Sequence, residues 1–237
     1  MAVQFEKAKG SLPVIAVTGM AFEARIARGK GVDAVFAARA DLLTQALNEA
    51  IARGCAGIIS FGTAGGLAPD LQPGALIVAD CVESPLGRVV TDTRWSERIA
   101  VALAATPLAA KLRRGPVAAV SAPLVGAADK AALHASTGAL AVDMESHLAG
   151  VIAAANGLPF AVCRAIVDPA WRTLPSAATA GLRDDGSTAI GPILRELARQ
   201  PSQLGGLLQV AADARAARSS LVAARAALER AGALSLG

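Results

Sequence analysis

The sequence has no tyrosine, only five phenylalanines and two tryptophans, although 54% of its residues are hydrophobic. Large aromatic side chains supply much of the contact area in many binding surfaces, so their scarcity argues against an aromatic-rich interface. A chain of 237 residues is nevertheless long enough to bury a sizeable core. The composition therefore predicts small aliphatic side chains packed between helices and a sheet.

Long basic runs and long uncharged apolar runs are also missing. The pI is about 9.3, but the net charge is only +4. No five consecutive residues are lysine or arginine, which argues against a nucleic-acid partner. No apolar run reaches the roughly 18 uncharged residues that span a bilayer. Residues 1–10 are polar and include Glu6, unlike a signal peptide. We therefore expect a cytoplasmic protein.

The three cysteines and two histidines follow no metal-binding pattern. Cys55, Cys81 and Cys163 lie in or beside apolar runs without CxxC spacing, and His134 and His147 add no ligand spacing to them. Reduced thiols buried in a core are the common outcome for such cysteines in a cytosolic protein. We therefore predict neither a metal nor an organic cofactor.

Short apolar runs alternate with stretches of helical periodicity along most of the chain. The predicted strands are Val14–Gly19, Gly57–Phe61, Ala75–Ala79, Val117–Val120, Leu140–Val142 and Pro159–Val167. The predicted helices are Asp41–Arg53, Glu145–Asn156, one near Thr188–Gln200 and an alanine-rich one at about 203–232. This alternation, with no linker rich in Ser, Gly or Pro, predicts one three-layer α/β domain over residues 1–237, with a central, mostly parallel (mixed) sheet.

The last predicted helix carries an apolar stripe at a spacing of three or four residues. The stripe consists of Leu207, Val210, Ala214, Ala217, Leu221, Ala224 and Leu228. Such a face packs against the body of a protein or against a second subunit. Arg215, Arg218 and Arg225 lie on the same helix and leave open a peripheral contact with a membrane surface.

The segment before these helices, residues 171–191, is rich in Pro, Ser, Thr, Gly and Asp. A segment of this length and composition is typical of a lid or of a disordered loop. Trp171 at its start has two open interpretations: it closes over a ligand, or it packs in the core or on the surface.

Three polar segments each follow a predicted strand. Gly62–Gly66 has backbone N–H groups that can cradle an anion or a ribosyl group, but it matches neither the dinucleotide fingerprint nor the P-loop. Val142–Ser146 places two carboxylates and a methionine between a strand and a helix. Arg164–Asp168 ends in a carboxylate. Because ligands collect at the carboxyl ends of strands, these segments predict an enzyme that acts on a small molecule.

Together with Pro73–Asp80, these segments resemble the purine/uridine phosphorylase superfamily, and most of all its 5'-methylthioadenosine/S-adenosylhomocysteine nucleosidases. The order and spacing match from about Val14 to Asp168. The Val17–Arg25 stretch and the alanine-rich tail resemble the hopanoid-associated branch, whose members are thought to remove adenine from adenosylhopane. The resemblance implies a nucleoside phosphorylase-like fold and a homodimer or higher homo-oligomer. It also implies cleavage of the N-glycosidic bond of a 5'-substituted, hydrophobic adenosine in hopanoid side-chain biosynthesis.

The resemblance implies roles for individual residues. Asp168 matches the acid that protonates, or hydrogen-bonds to, purine N7. Glu145 matches the carboxylate that accepts hydrogen bonds from the ribose 2'- and 3'-hydroxyls, and Met144 packs against the sugar. Asp143 is expected to face away. Where the family often has a phenylalanine stacked on the base, residues 121–127 contain no aromatic residue, so Leu124 or Val125 is expected there. The remaining substrate-binding candidates are Thr63, Ala64 and Gly65.

The nucleophile stays open between water and phosphate. Glu23 resembles the glutamate that positions the attacking water in the hydrolases, whereas the phosphorylases carry an arginine in this region to hold phosphate. The arginines that are candidates for binding phosphate are Arg25, Arg39, Arg88 and Arg94. Thr63 has a hydroxyl that can hydrogen-bond to either nucleophile. Inorganic phosphate is therefore a candidate co-substrate, and the reaction is either phosphorolysis or hydrolysis.

Two alternative functions remain open beside this one. The first is a hydrolytic nucleosidase of the 5'-methylthioadenosine/S-adenosylhomocysteine type in purine salvage. The second is a non-catalytic nucleoside-binding protein on the same fold. The presence of both Glu145 and Asp168 argues against the second, since simple binding needs no acid at N7.

Overall fold

The computed structural model describes residues 12–37, 39–181 and 189–236. The strands are β1 (Val14–Thr18), β2 (Val32–Phe36), β3 (Gly57–Gly66), β4 (Leu76–Ser84), β5 (Gly87–Val90), β6 (Leu112–Ala119), β7 (Ala141–Asp143) and β8 (Phe160–Asp168). The α-helices are α1 (Ala21–Ala27), α2 (Ala40–Ala52), α3 (Thr93–Ala104), α4 (Ala127–Thr137), α5 (Ser146–Ala155), α6 (Ser176–Thr179), α7 (Ile190–Arg199) and α8 (Leu204–Arg230).

The eight strands form one mixed sheet. Its order is β2-β1-β3-β7-β6-β4-β5, and β8 pairs with both β3 and β4. The pairs β1–β2, β1–β3, β3–β8, β4–β6 and β6–β7 are parallel, and the pairs β3–β7, β4–β5 and β4–β8 are antiparallel. Because β3, β8, β4, β6 and β7 pair in a closed circuit, this part of the sheet curls on itself.

Helices cover both faces of the sheet, because the central strands are apolar on both sides. All five residues of β1 are buried. Val14 and Ala16 face a core shared with α1, α3 and α8, whereas Ile15 and Val17 face a core shared with α2 and α5. Alternate residues of a strand point to opposite faces, so a continuous apolar run is what a strand between two helical layers requires. The predicted three-layer α/β class with a mixed sheet is confirmed.

The long helix α8 buries the second half of the predicted stripe within its own subunit. Ala217, Leu221, Ala224 and Leu228 pack into the core that α8 shares with β8 and α3. This half of the stripe is therefore not a surface for a second subunit. Arg225, predicted on a basic face, is also buried, and its Nε donates to the carbonyl of Ala27 at 2.7 Å. Within the described ranges, no helix is long and apolar enough to cross a membrane.

Several elements have no counterpart among the sequence predictions. They are α1, β2, β5, α3, α4 and α6. For α3 a local signal exists, because the side chain of Asp92 accepts a hydrogen bond from the Trp95 N–H at 2.7 Å as an N-cap. The helix predicted near Thr188–Gln200 corresponds to α7, and its first residue lies outside the described residues.

The glycine segment Gly62–Gly66 was predicted to follow a strand that ends at Phe61, but the strand does not end there. Strand β3 continues through Gly66, pairing Gly62 with Arg164 on one side and Gly65 with Val142 on the other. Because these glycines have no side chains, other residues can approach the strand closely. A Cβ on Gly62 would lie 2.8 Å from both the Glu23 carboxylate and the Arg164 guanidinium.

Candidate functional site

The carboxyl ends of β1, β3 and β8 meet at a cavity of about 480 Å³. The predicted site residues that line it are Glu23, Thr63, Ala64, Gly65, Met144, Glu145 and Asp168. Asp143, predicted to face away, is also among the lining residues, although it is largely buried. A volume of this size lies in the range of small-molecule sites, roughly 300–1,000 Å³.

Glu23 is held by four hydrogen bonds. Its Oε1 accepts from the Thr63 N–H at 2.8 Å and from the Thr63 hydroxyl at 2.6 Å. Its Oε2 accepts from the N–H groups of Gly19 and Met20 at 3.2 and 3.1 Å. The two oxygens of a carboxylate offer about four lone-pair sites, so this side chain is fixed in one orientation. The Thr63 hydroxyl donates a hydrogen bond to Glu23, and Thr63 also lines the cavity.

Arg164 is fully buried and forms ion pairs with two of the cavity carboxylates. Its Nε lies 2.8 Å from Oδ2 of Asp143, and its Nη2 donates to Oε2 of Glu145 at 3.0 Å and to the Ser60 hydroxyl at 2.6 Å. Asp143 also contacts the start of α5, because its Oδ1 accepts from the N–H of Ser146, the first residue of that helix, at 3.0 Å. Removing one partner of such a buried pair typically costs about 3–5 kcal/mol, since the other charge is left uncompensated. Arg164 therefore fixes the position of Glu145.

Glu145 stands at the start of α5 with its carboxylate directed at Gly19. A Cβ on Gly19 would collide with Oε1 of Glu145, so the glycine after β1 leaves room for this carboxylate. Burial raises the pKa of Glu145 to about 7; Arg164 opposes this rise, and Asp143 and Glu23 add to it. The group is thus a carboxylate whose protonation changes near neutral pH.

Asp168, at the end of β8, is paired with a buried lysine. Lys130 of α4 donates from Nζ to Oδ2 of Asp168. Burial raises the pKa of Asp168 above its ordinary value, and the charge of Lys130 works in the opposite direction. An acid that keeps its proton to higher pH while a cation lies next to it suits proton transfer to a weakly basic acceptor.

Five of the predicted site residues lie elsewhere. Val125 is not among the cavity-lining residues, whereas its neighbour Leu124 is. The four arginines proposed for phosphate, Arg25, Arg39, Arg88 and Arg94, are exposed and do not line the cavity either. Arg39 pairs with Asp41, and Arg88 pairs with Glu83 at 3.3 Å. Trp171 is about half exposed and is not a lining residue.

The fold also brings to the site residues that were not predicted from the sequence. Arg164 was part of a motif but had no predicted role, and Lys130 was not singled out. Val210 and Ala214 of α8 form part of the cavity wall, together with Leu174 and Ala178. A charged residue at the core-facing position of an amphipathic helix is the signal that identifies Lys130, and it requires α4 to be recognised first.

Known proteins share this architecture. The model of the Phosphorylase superfamily matches residues 2–188. The 5'-methylthioadenosine/S-adenosylhomocysteine nucleosidase of Helicobacter pylori superposes with a TM-score of 0.64 at 16% identity, over 94% of this chain and 99% of that one. The futalosine hydrolase of Helicobacter pylori gives 0.64 at 16% identity, over 94% and 97%. The S-adenosylhomocysteine nucleosidase of Streptococcus pyogenes gives 0.59 at 18%, over 69% and 86%. Comparison with curated proteins gives no match.

Proposed function

This chain belongs to the phosphorylase superfamily and is an enzyme of the nucleoside phosphorylase and nucleosidase class, and we propose that it cleaves the N-glycosidic bond of an adenosine derivative and releases adenine. The observation that carries the proposal is the convergence of Asp168, Glu145 and Glu23 on one cavity. The names of the similar structures, nucleosidases of methylthioadenosine and adenosylhomocysteine, favour an adenosine as the substrate.

The three carboxyl groups match the demands of this reaction. Breaking the bond between C1' of the ribose and N9 leaves positive charge on the sugar and negative charge on the base. A protonated Asp168 donates to purine N7, so the base leaves as a neutral molecule. Glu145 accepts hydrogen bonds from the 2'- and 3'-hydroxyls and orients C1' for attack, because small displacements of the reacting atom reduce the rate steeply.

Water is the nucleophile that the site favours. Glu23 and the Thr63 hydroxyl lie together on the cavity wall. An attacking water can donate to the Thr63 hydroxyl oxygen, and its proton then reaches Glu23 through that hydroxyl. A phosphate dianion there would face Glu23, Asp143 and Glu145, and like charges at close range repel strongly in a partly buried site. Among the described residues that line the cavity, none is an arginine or a lysine.

The first test follows adenine release from 5'-alkylthioadenosines with and without inorganic phosphate, identifying the sugar product by mass. We expect free sugar at a rate that does not depend on phosphate. Glu23→Gln is expected to lower kcat by about 10²-fold or more, since general base catalysis typically contributes ~10²–10⁴-fold. Glu49→Gln, an exposed carboxylate on α2, is the matched control. A ribosyl 1-phosphate formed only with phosphate would make the enzyme a phosphorylase.

We further propose a hydrophobic 5' substituent, of the adenosylhopane kind that the Val17–Arg25 stretch suggests. Support comes from the apolar part of the cavity wall, which consists of Phe22, Leu124, Leu174, Val210 and Ala214. Apolar surface removed from water contributes about 25 cal/mol per Å², before association costs are subtracted. Homo-oligomeric assembly, a peripheral membrane contact and a cytoplasmic location stay predictions.

Lengthening an apolar 5' group is the test of this substituent. Each methylene that reaches the apolar wall contributes at most about 0.8 kcal/mol, so kcat/KM is expected to rise roughly twofold to fourfold per methylene. Val210→Ser should flatten the series without changing the rate for 5'-methylthioadenosine. A series that is flat in the wild type contradicts a hydrophobic 5' pocket and favours the small-substrate nucleosidase of purine salvage.

A further inference from the structure

The wholly buried residue of α4 is a lysine. Lys130 has no exposed surface, while the other described residues of this helix are partly or fully exposed. Transferring an ammonium group from water into a protein interior costs several kcal/mol unless its charge and its donors find partners. An apolar residue at this position would pack at no such cost. The groups that contact the Lys130 ammonium must therefore offset the cost of burying it.

All three N–H groups of Lys130 have a fixed acceptor. Nζ donates to Oδ2 of Asp168, to the carbonyl of Pro169 at 3.2 Å and to the carbonyl of Arg172 at 3.0 Å. The contact uses one oxygen of the Asp168 carboxyl group. The other oxygen, Oδ1, accepts no hydrogen bond from Lys130, and Asp168 lines the cavity. Lys130 thus binds one oxygen of the Asp168 carboxyl group and leaves the other oxygen for contact with a ligand.

We propose that Lys130 is a positioning residue that sets the acidity of Asp168 for proton transfer to the leaving base. This inference rests on the proposed function. The proton leaves Oδ1 of Asp168 for purine N7, the C1'–N9 bond breaks, and its electron pair goes to the base. The carboxylate left behind is stabilised through Oδ2 by the ammonium group of Lys130. Water attacks C1', and Glu23 accepts its proton.

The surroundings of Asp168 make Lys130 the group that controls its charge. Asp213 of α8 also acts on Asp168, in the direction opposite to Lys130. Asp213 is itself neutralised by Arg172, whose Nε lies 2.6 Å from its Oδ2. The remaining charged groups of the cavity wall, Glu23, Asp143 and Glu145, are carboxylates. Of the described residues, Lys130 is the cation in hydrogen-bond contact with Asp168.

The test separates the charge of Lys130 from its structural hydrogen bonds. Lys130→Gln keeps a donor for the carbonyls of Pro169 and Arg172 but removes the charge, and Lys130→Met removes both. An adjacent cation lowers a carboxyl pKa by about one to three units. Both variants are therefore expected to move the alkaline limb of the kcat/KM profile to higher pH by that amount. We also expect kcat to fall about 10-fold or more, because a weaker acid transfers its proton less readily. Lys111→Gln, an exposed lysine, is the control.

A double-mutant cycle shows whether Lys130 acts through Asp168. In an Asp168→Asn background, Lys130→Gln is expected to cost less than about twofold in kcat, because the acid that it modulates is gone. An equal loss of rate in both backgrounds, or an unmoved alkaline limb in the single variant, would overturn the proposal and leave Lys130 as a structural tie. Full activity of Asp168→Asn alone would instead refute the proposed acid, whatever Lys130 does.

Discussion

Replacing Asp168 with asparagine is expected to lower the rate of adenine release by about 10²–10⁴-fold, the range that general acid catalysis typically contributes. The amide has nearly the same shape as the carboxyl group but has no acidic proton for purine N7. Nucleoside binding should change much less, because the rest of the cavity wall is untouched. Single-turnover adenine release and calorimetric titration with a non-cleavable nucleoside analogue measure the two effects separately.

This variant also leaves Lys130 without its carboxylate partner, so its folding has to be checked. Breaking a buried pair typically costs about 3–5 kcal/mol, and thermal unfolding would report such a loss. The double variant with Lys130→Met removes both charges and is expected to recover part of the lost stability without restoring activity. Asp70→Asn, which changes an exposed aspartate, is the surface control. If adenine release survives in Asp168→Asn while the protein binds nucleoside, Asp168 is not the acid; if wild-type protein binds but releases no adenine, the chain is a nucleoside-binding protein.

Replacing Glu145 with glutamine is expected to reduce kcat/KM by roughly 10²-fold. A hydrogen bond to a charged group contributes about 1.5–3 kcal/mol, and Glu145 is proposed to accept from two ribose hydroxyls. Glutamine keeps the size of the side chain and one acceptor oxygen, so binding is weakened rather than abolished. Arg164 keeps Asp143 as a charged partner, and the fold should therefore survive. Steady-state kinetics with 5'-methylthioadenosine measure the loss.

The same residue predicts an acid limb in the pH profile. Burial raises the pKa of Glu145 to about 7, so the carboxylate form, which accepts hydrogen bonds from both ribose hydroxyls, predominates only above that pH. The value of kcat/KM should therefore rise with pH through about 7. Bound ribose favours the charged form, so the limb in kcat should lie at lower pH than the limb in kcat/KM.

Glu145→Gln is expected to remove this limb, because the amide does not titrate. Glu83→Gln changes a carboxylate that is paired with Arg88 outside the cavity and should leave the profile unchanged. If the limb near pH 7 persists in Glu145→Gln, another group controls it, and the proposed role of Glu145 in holding the ribose loses its kinetic support.

The elements that sequence patterns predicted best are the buried strands. The runs at β1 and β8 are apolar on both faces except for Thr18 in β1 and Arg164 and Asp168 in β8, and a strand between two helical layers accommodates such a run. The elements that were missed are those whose pattern is mixed. Helix α4 has a lysine at its buried position, and β5 lies at the sheet edge with mostly exposed residues. In such segments, the local pattern of polar and apolar residues does not show which residues the fold buries.

The residues of the candidate site also differ in whether a local pattern predicted them. Glu23, Glu145 and Asp168 were identified because each stands in a recognisable motif next to a strand or helix end. Arg25 was proposed for phosphate because the phosphorylases carry an arginine in its region, and three other arginines were added as candidates. The structure brings none of the four to the cavity wall. The arginine that does organise the site, Arg164, lies inside β8, where an alternating or apolar pattern gives no reason to expect a cation.

The sequence by itself determined the α/β architecture and the carboxyl groups at its strand ends, because apolar periodicity and short motifs are local properties of a chain. Only the tertiary structure decided which partners those groups have. Lys130 meets Asp168 across 38 residues, Glu23 meets Thr63 across 40, and Ser60 meets Arg164 across 104. Contacts between residues so far apart depend on how strands pair and helices pack. The acidity of a buried carboxyl group depends on those contacts, and so does the chemistry that it performs.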